Sequence, residues 1–320
     1  MHTAIYEYLR MSDKKYVSVV GDVCVDLIIP YGDFKKYLSD TERMKDPDIP
    51  RPKVYRRLGG TSGNTALIAA KLGTPVLIVS KASEESQGQF IQRELSKYGI
   101  NTDYLIVSGP DTGCMVCVLD NDDRLMMVWN DSDVFPDYFD DLSIRDEVAE
   151  MSSVIHFAGV IVTADKPQER EMIRFARVAK AKGCKCTIDL NLRVESWGFS
   201  DARKRMFAEL INQCDVVFGS GIDEFEPFTG IDSFPEAVKA FSEMYPEKIV
   251  VARDGANDVL VAQNGEYYSV PVKKVRVVNK VGAGDAFNAG FLKAFSEGKD
   301  IRTCVEQGID IASTAISQIG

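Results

Sequence analysis

The chain has 320 residues, 45% hydrophobic and 27% charged, with a formal net charge of −10. That balance fits a folded globular protein. The acid excess argues against nucleic acid as a partner, because duplex binding needs clustered Lys and Arg to displace counterions. No apolar run approaches the ~18 residues of a membrane helix, and residues 1–15 lack a signal-peptide core, so a cytoplasmic location is expected.

After the polar extension 1–15, YVSVVGDVCVDLIIP (16–30) reads as a strand rich in Val and Ile. Residues 31–53 are charged and carry three prolines, a long loop with room for one short helix. KVYRRLGG (53–60) returns as a strand. Asn64–Leu72 reads as a helix closed by Gly73, PVLIVSKA (75–82) as a buried strand, and 86–98 as a helix ending at Gly99. The alternation continues with strands SVIHFAGV, CKCTIDL, DVVFGS and KIVVA, and helices at 167–182, 200–213, 234–244, 284–297 and 301–318. Such a pattern specifies an α/β fold, a doubly wound and mainly parallel sheet with helices on both faces. One segment breaks it. TGCMVCVLDNDDRLMMVWN (112–130) reads as a hairpin around Asn121–Asp123, apolar on both faces. It must be covered by another part of this chain or by a partner chain.

Seven cysteines in a chain of this length are not a disulfide framework. Cys114 and Cys117 sit three apart on a strand, so they face opposite ways and do not converge on a zinc ion. Cys184 and Cys186 enter another apolar strand. Buried, reduced thiols are the reading adopted for all of them. His156, in the strand-like SVIHFAG, has no histidine nearby and reads as core packing.

Three stretches carry candidate chemistry. In VNKVGAGDAFNAGFLKAF (278–295), Gly282, Ala283 and Gly284 precede Asp285 and an apolar helix. The first N–H groups of a helix point outward without intrahelical partners, and small residues let an anion approach them. Asp285 beside that turn is placed either to take a proton from a hydroxyl aimed at a bound phosphoryl group or merely to cap the helix. The second stretch, RLGGTSGNTALIAAKLG (57–73), has Gly59 and Gly60 for close backbone approach, and Asn64 offers both a donor and an acceptor to a polyol. It lacks the G-x-G-x-x-G spacing of a dinucleotide fold. In the third, TIDLNLRVESWG (187–198), Asp189, Asn191 and Arg193 alternate at a strand end and share a face. Arg193 either grips a phosphate or carboxylate or forms a salt bridge with Asp189.

The two glycine-rich motifs, in this order and this far apart, resemble the ribokinase/PfkB carbohydrate kinase family from about Val17 onward. GG-x-x-x-N is similar to its N-terminal signature and V-G-A-G-D-A-F to the core of its C-terminal one. D-x-N-x-R followed by Trp197, the strand G-D-V-C-V-D (21–26) and His156–Gly159 resemble further family stretches. The resemblance implies one ribokinase-like domain over 1–320, with a small β lid built from about 27–58 and 112–130. It implies ATP and Mg²⁺ as cofactors and a small sugar or sugar acid as substrate. Asp285 would be the base and 282–284 the anion hole. Asp26, Gly59, Gly60, Asn64 and Arg193 would hold the sugar, and Glu224 would serve Mg²⁺. The nucleotide side falls to Asn191, Arg253, Gly255 and Lys280. Lids of two subunits clasp each other in several members, which implies a homodimer here.

The departures from the family pattern fall on the nucleotide side. Asn279 and Lys280 stand where the family has Asp-Thr, an Asp that helps bind a monovalent cation in many members. Either the Lys280 ammonium replaces that charge, making activity independent of K⁺, or it faces solvent. Gly221 replaces the Asn of N-x-x-E. Asp254 occupies a glycine position of the phosphate turn, where Arg253 or a one-residue shift onto Gly255 would offset its charge. The expected activity is phosphorylation of a hydroxymethyl group. The alternatives are a sugar-binding sensor that has lost efficient ATP use, and a nucleoside kinase.

Overall fold

The structure, a computed structural model, describes residues 15–39, 45, 51–109, 112–120, 123–129, 138–163, 166–277 and 281–317. Asp120 and residues 123–129 are described by backbone alone. Nine strands form the large sheet: β1 (Tyr16–Val20), β4 (Val76–Ala82), β5 (Leu105–Val107), β8 (Ser152–Ala158), β9 (Lys185–Asp189), β10 (Val216–Ser220), β11 (Ile249–Asp254), β12 (Asn257–Gln263) and β13 (Glu266–Val270). Their order is β13-β12-β11-β10-β9-β8-β1-β4-β5. Pairing is parallel from β11 to β5 and antiparallel only at β11/β12 and β12/β13. Strand order reverses between β1 and β8, which opens a crevice at the carboxyl ends of the strands.

The run read as one strand at 16–30 is two strands in different sheets. β1 stays in the large sheet, and β2 (Cys24–Pro30) joins β3 (Tyr55–Gly59), β6 (Cys114–Asp120) and β7 (Asp123–Trp129) in a four-stranded lid of order β3-β2-β6-β7. The break falls at Gly21, with φ +153°. A Cβ there would sit 2.4 Å from Ser62 Oγ and 2.7 Å from Ala158 Cβ, so any other residue would force Gly21, Ser62 or Ala158 to shift. The expected hairpin at 112–130 is β6/β7; Asn121 and Asp122 of its turn lie outside the described residues. The short helix allowed in the 31–53 loop is α1 (Tyr31–Ser39). Strands β5, β12 and β13 had no counterpart in the sequence reading.

Along the strands, period-two alternation sends neighbouring side chains to two helical layers. Ile155, Val217 and Val250 pack under α5 (Pro167–Ala181), α7 (Asp201–Gln213) and α9 (Phe234–Met244) through Phe175, Phe207 and Phe241. Val154, Val216 and Val251 pack on the other side under α10 (Ala283–Ser296) and α11 (Ile301–Ile316) through Phe287, Phe291 and Val305. That second layer is completed by α2 (Thr61–Lys71) and α3 (Ser86–Lys97). The short helices are α4 (Glu147–Met151), α6 (Val194–Trp197) and α8 (Glu226–Thr229). Helices α10 and α11 approach closely where both are glycine. A Cβ on Gly290 would lie 2.7 Å from the Gln307 carbonyl oxygen, and one on Gly308 3.0 Å from the Phe287 ring.

Candidate active site

A cavity of about 350 Å³ opens at the strand-order reversal, between the lid and the carboxyl ends of the large sheet. Asp26, Gly60, Asn64, Arg193, Gly282 and Asp285 all line it, so residues from four separate stretches of chain converge as the sequence suggested. The wall also includes Asp22, Thr61, Glu195, Ser196 and Trp197, which the sequence reading did not select as ligands.

The two glycine-rich helix starts differ in a way that decides where an anion can sit. At α2 the N-terminus is already neutralised. Asp22, buried beneath it, accepts from the backbone N–H of Thr61 at 2.9 Å and of Ser62 at 3.2 Å. Burial raises the carboxyl's pKa, and those two amides draw it back. At α10 Gly282 is the N-cap, left-handed at φ +78°, and among the described residues no side chain caps the half-buried amides that follow. The positive end of α10 is therefore open to a ligand anion.

Asp285 does not cap its own helix. Its Oδ2 accepts from Asn64 Nδ2 at 3.0 Å, a bond that joins α10 to α2 at the cavity wall. Burial pushes its carboxyl up to about 7; the Asn64 hydrogen bond opposes this, and the charges of Asp189 and Asp22 reinforce it. A carboxylate poised near neutrality suits proton transfer at physiological pH.

Asp26 faces the cavity from the lid. Burial holds its carboxyl at about 6. Its seat depends on Gly59 across the β2/β3 ladder, where a Cβ would fall 2.1 Å from Asp26 Oδ1 and 2.4 Å from Cγ. Gly60 has φ +85°, and a Cβ there would meet the Asp22 carbonyl oxygen at 2.7 Å. Beside Asp26 the wall turns apolar, with Cys24, Met115 and Cys117, all buried. The Cys24 thiol is directed at Asp26 Oδ1, 3.5 Å away. Arg193, itself left-handed at φ +48°, brings an exposed guanidinium to the same cavity.

Behind the α10 turn lies a network that the sequence did not disclose. Asp189 pairs with Arg253 rather than with Arg193, the partner weighed for it from spacing alone. Arg253 Nη2 reaches both Asp189 oxygens, at 2.9 and 3.1 Å. Nη1 donates to the Gly284 carbonyl and to Asn288 Oδ1, each at 3.0 Å, and Nε to the Gly219 carbonyl at 3.4 Å. Asn288 Nδ2 closes the triangle on Asp189 Oδ2 at 2.6 Å. All three nitrogens of the guanidinium are thus engaged by protein acceptors. Expected to meet the nucleotide, this side chain points into the body instead, because alternation along β11 turns Arg253 inward and Asp254 outward. It therefore does not offset Asp254, whose Oδ2 accepts from Asn257 Nδ2 at 2.9 Å across the hairpin turn.

Of the remaining candidates, Gly255, Asn191 and Glu224 follow the carboxyl ends of β11, β9 and β10 and do not line the cavity. Gly255 is exposed at φ +57° in the β11/β12 turn. Asn191 Nδ2 donates to Thr61 Oγ1 at 2.9 Å, tying the end of β9 to the start of α2. Lys280 and Asn279 lie outside the described residues. Glu224 sits in the 3-10 turn Ile222–Glu224 after β10, where Oε2 accepts from Ser220 N–H at 2.7 Å. Burial, with the charge of Asp189 added, pushes its carboxyl to about 7. Among the described residues no cluster of three or more His, Cys, Asp or Glu forms a metal cage. A single partly buried carboxylate does fit Mg²⁺ carried by phosphates, which takes one or two protein carboxylates and keeps its waters.

Residues 14–320 match the model of the pfkB family carbohydrate kinases. A 5-dehydro-2-deoxygluconokinase of Listeria monocytogenes is 23% identical over 314 residues, covering 97% of this chain and 92% of its own. Its counterpart in Bacillus subtilis is 24% identical over 318 residues, covering 98% and 93%. Among solved structures, a fructokinase from Xylella fastidiosa with bound ATP superposes with a TM-score of 0.77 at 20% identity, covering 96% of this chain and 95% of its own. An adenosine kinase from Sinorhizobium meliloti gives the same TM-score and identity. With a family match over nearly the whole length and both signature turns meeting at one cavity, this chain belongs to the pfkB family of carbohydrate kinases.

Proposed function

We propose that this protein transfers a phosphoryl group from ATP to a hydroxymethyl group of a small sugar acid. The observation that carries the proposal is the convergence of Asp285, with its proton affinity near neutrality, and the uncapped start of α10 on one cavity wall, opposite Asp26. Asp26 and Asn64 hold the polyol. Asp285 accepts the proton of the attacking hydroxyl, and the amides of the 282–284 turn face the oxygens of the transferring group, where they stabilise the charge that builds there. ATP would supply that group, and Mg²⁺, with Glu224 as its protein carboxylate, would neutralise its charge. Arg193 at the cavity favours a substrate with a carboxylate. The wall of Cys24, Met115 and Cys117 offers weak partners to a hydroxyl, which favours a deoxygenated carbon on that side. The names of the curated relatives agree with a deoxy sugar acid.

The test is ADP release against a panel of pentoses, hexoses, keto and deoxy sugar acids and nucleosides, with wild type beside Asp285→Asn. Turnover on a sugar acid that collapses in the variant is the expected result. Turnover on nucleosides alone would move the substrate class.

A second reading, a sugar-binding sensor with poor ATP use, draws on one observation. The Arg253 guanidinium is turned inward onto protein acceptors at all three nitrogens, which leaves the half-buried acid Asp254 beside it without that charge to offset it. A melting temperature raised by a sugar, with no response to Mg·ATP and no turnover, would establish it. The apolar lid is assigned to a homodimer in the cytoplasm; a monomeric mass at micromolar concentration refutes the dimer.

A further inference from the structure

Arg253 is buried, its charge matched to Asp189, and it touches the backbone of the very turn that faces the phosphoryl group. It bridges four elements: its own β11, the end of β10 through Gly219, the end of β9 through Asp189, and α10 through Gly284 and Asn288. The turn and the arginine are also matched sterically. A Cβ on Gly284 would come 3.1 Å from Arg253 Nη1, so glycine at 284 leaves the guanidinium its seat. We propose that Arg253 is a positioning residue for phosphoryl transfer, acting through Gly284 and Asn288 to fix the open amides of α10 relative to the strand ends. The proposal rests on the kinase reading of the cavity.

The physical ground is the need for preorganisation. Amides that stabilise a transition state must already be aimed when charge develops, and a displacement of about 1 Å at such a site costs ~10²-fold in rate. A helix N-terminus flanked by Gly282 and Gly284 has little stiffness of its own. The Arg253 fork supplies what the glycines lack. Its planar donors fix both distance and angle to Gly284 O and Asn288 Oδ1, which a lysine ammonium on a flexible stem cannot reproduce.

Two variants separate positioning from folding. Arg253→Lys keeps the buried charge for Asp189 and removes the fork. The double variant Arg253→Met/Asp189→Leu removes both charges, so neither is left alone in the interior. For each, kcat and the sugar and ATP KM values are measured on the best sugar of the panel. Calorimetry then compares the affinity for Mg·ADP plus sugar with that for the same ligands plus aluminium fluoride, which mimics the phosphoryl group in flight. The expected result is folded protein, a kcat reduced about 10²-fold, ADP and sugar affinities within threefold of wild type, and an aluminium fluoride complex weakened as much as kcat. Three outcomes overturn the proposal: a kcat within threefold of wild type, an equal weakening of ADP, sugar and aluminium fluoride complexes, or failure of both variants to fold. Failure of the kinase reading is recognised separately, by wild-type protein without turnover on any acceptor.

Discussion

Replacing Gly59 by alanine tests the sugar side with a single methyl group. The backbone accepts it, because φ at Gly59 is not positive and the residue lies in a regular antiparallel pair with Cys24. The three nearest obstacles are all atoms of the Asp26 carboxylate. The new Cβ would sit 2.1 Å from Oδ1, 2.4 Å from Cγ and 2.7 Å from Oδ2, where ordinary contact begins at 3.4 Å, so the carboxylate must retreat by about 1.3 Å. Misplacing a group that orients the substrate by ~1 Å costs about 10²-fold. The fold loses little, since the strain of moving one half-buried side chain, of order 1 kcal/mol, is offset by the reduced entropy of the unfolded chain, 0.4–1 kcal/mol by rough estimate. Steady-state ADP release should show kcat/KM for the sugar falling about 10²-fold, with KM for ATP within twofold and the melting temperature within a few degrees. Asp26→Asn should reproduce the kinetic effect without the steric one. A folded Gly59→Ala protein with unchanged kcat/KM for the sugar would show that Asp26 does not hold the substrate, and the assignment of the lid wall would fail with it.

Further outcomes follow from the same geometry. Asp285→Asn should lower kcat by 10²-fold or more on the usual scale of general-base loss, and the wild-type rate should rise with pH through about 7 as Asp285 deprotonates; a flat profile between pH 6 and 8 would refute the base assignment. Burial holds Asp26 at about 6 and Glu224 and Asp285 at about 7, so each binds more protons folded than unfolded. A raised carboxyl stabilises fully below its unfolded value and loses that contribution as pH rises through the folded one. Ligand-free protein should therefore melt higher at pH 6.5 than at pH 8.5; His156, held down to about 4, works the other way only as its unfolded imidazole protonates near the lower edge of that window, one group against three. The opposite order in a thermal scan would contradict the burial of these groups. Gly290→Val should destabilise by about 1–3 kcal/mol, because its side chain meets the Gln307 carbonyl where α10 and α11 cross; an unchanged urea midpoint would contradict that packing.

The sequence by itself determined the fold class and the main features of the cavity. Alternating apolar runs specify a sheet with two helical layers, and this is a local property, since Val154/Ile155 and Val216/Val217 divide between the layers by the pleat alone. Gly282 to Asp285 and Gly59 to Asn64 were legible because a glycine-rich helix start is a contiguous signal. Only the tertiary structure decided the rest. The break of 16–30 into two sheets depends on how close Ser62 and Ala158 come to Gly21. The choice between the two helix starts depends on Asp22, which the fold lays beneath α2 and not beneath α10. Asp189 found Arg253, 64 positions away, and not Arg193 four residues on, because β9 and β11 flank β10 and turn both side chains to one interior point. Spacing along a chain reports which side chains share a face of one element; which charges meet across elements is set by sheet order and register, and those exist only once the chain has folded.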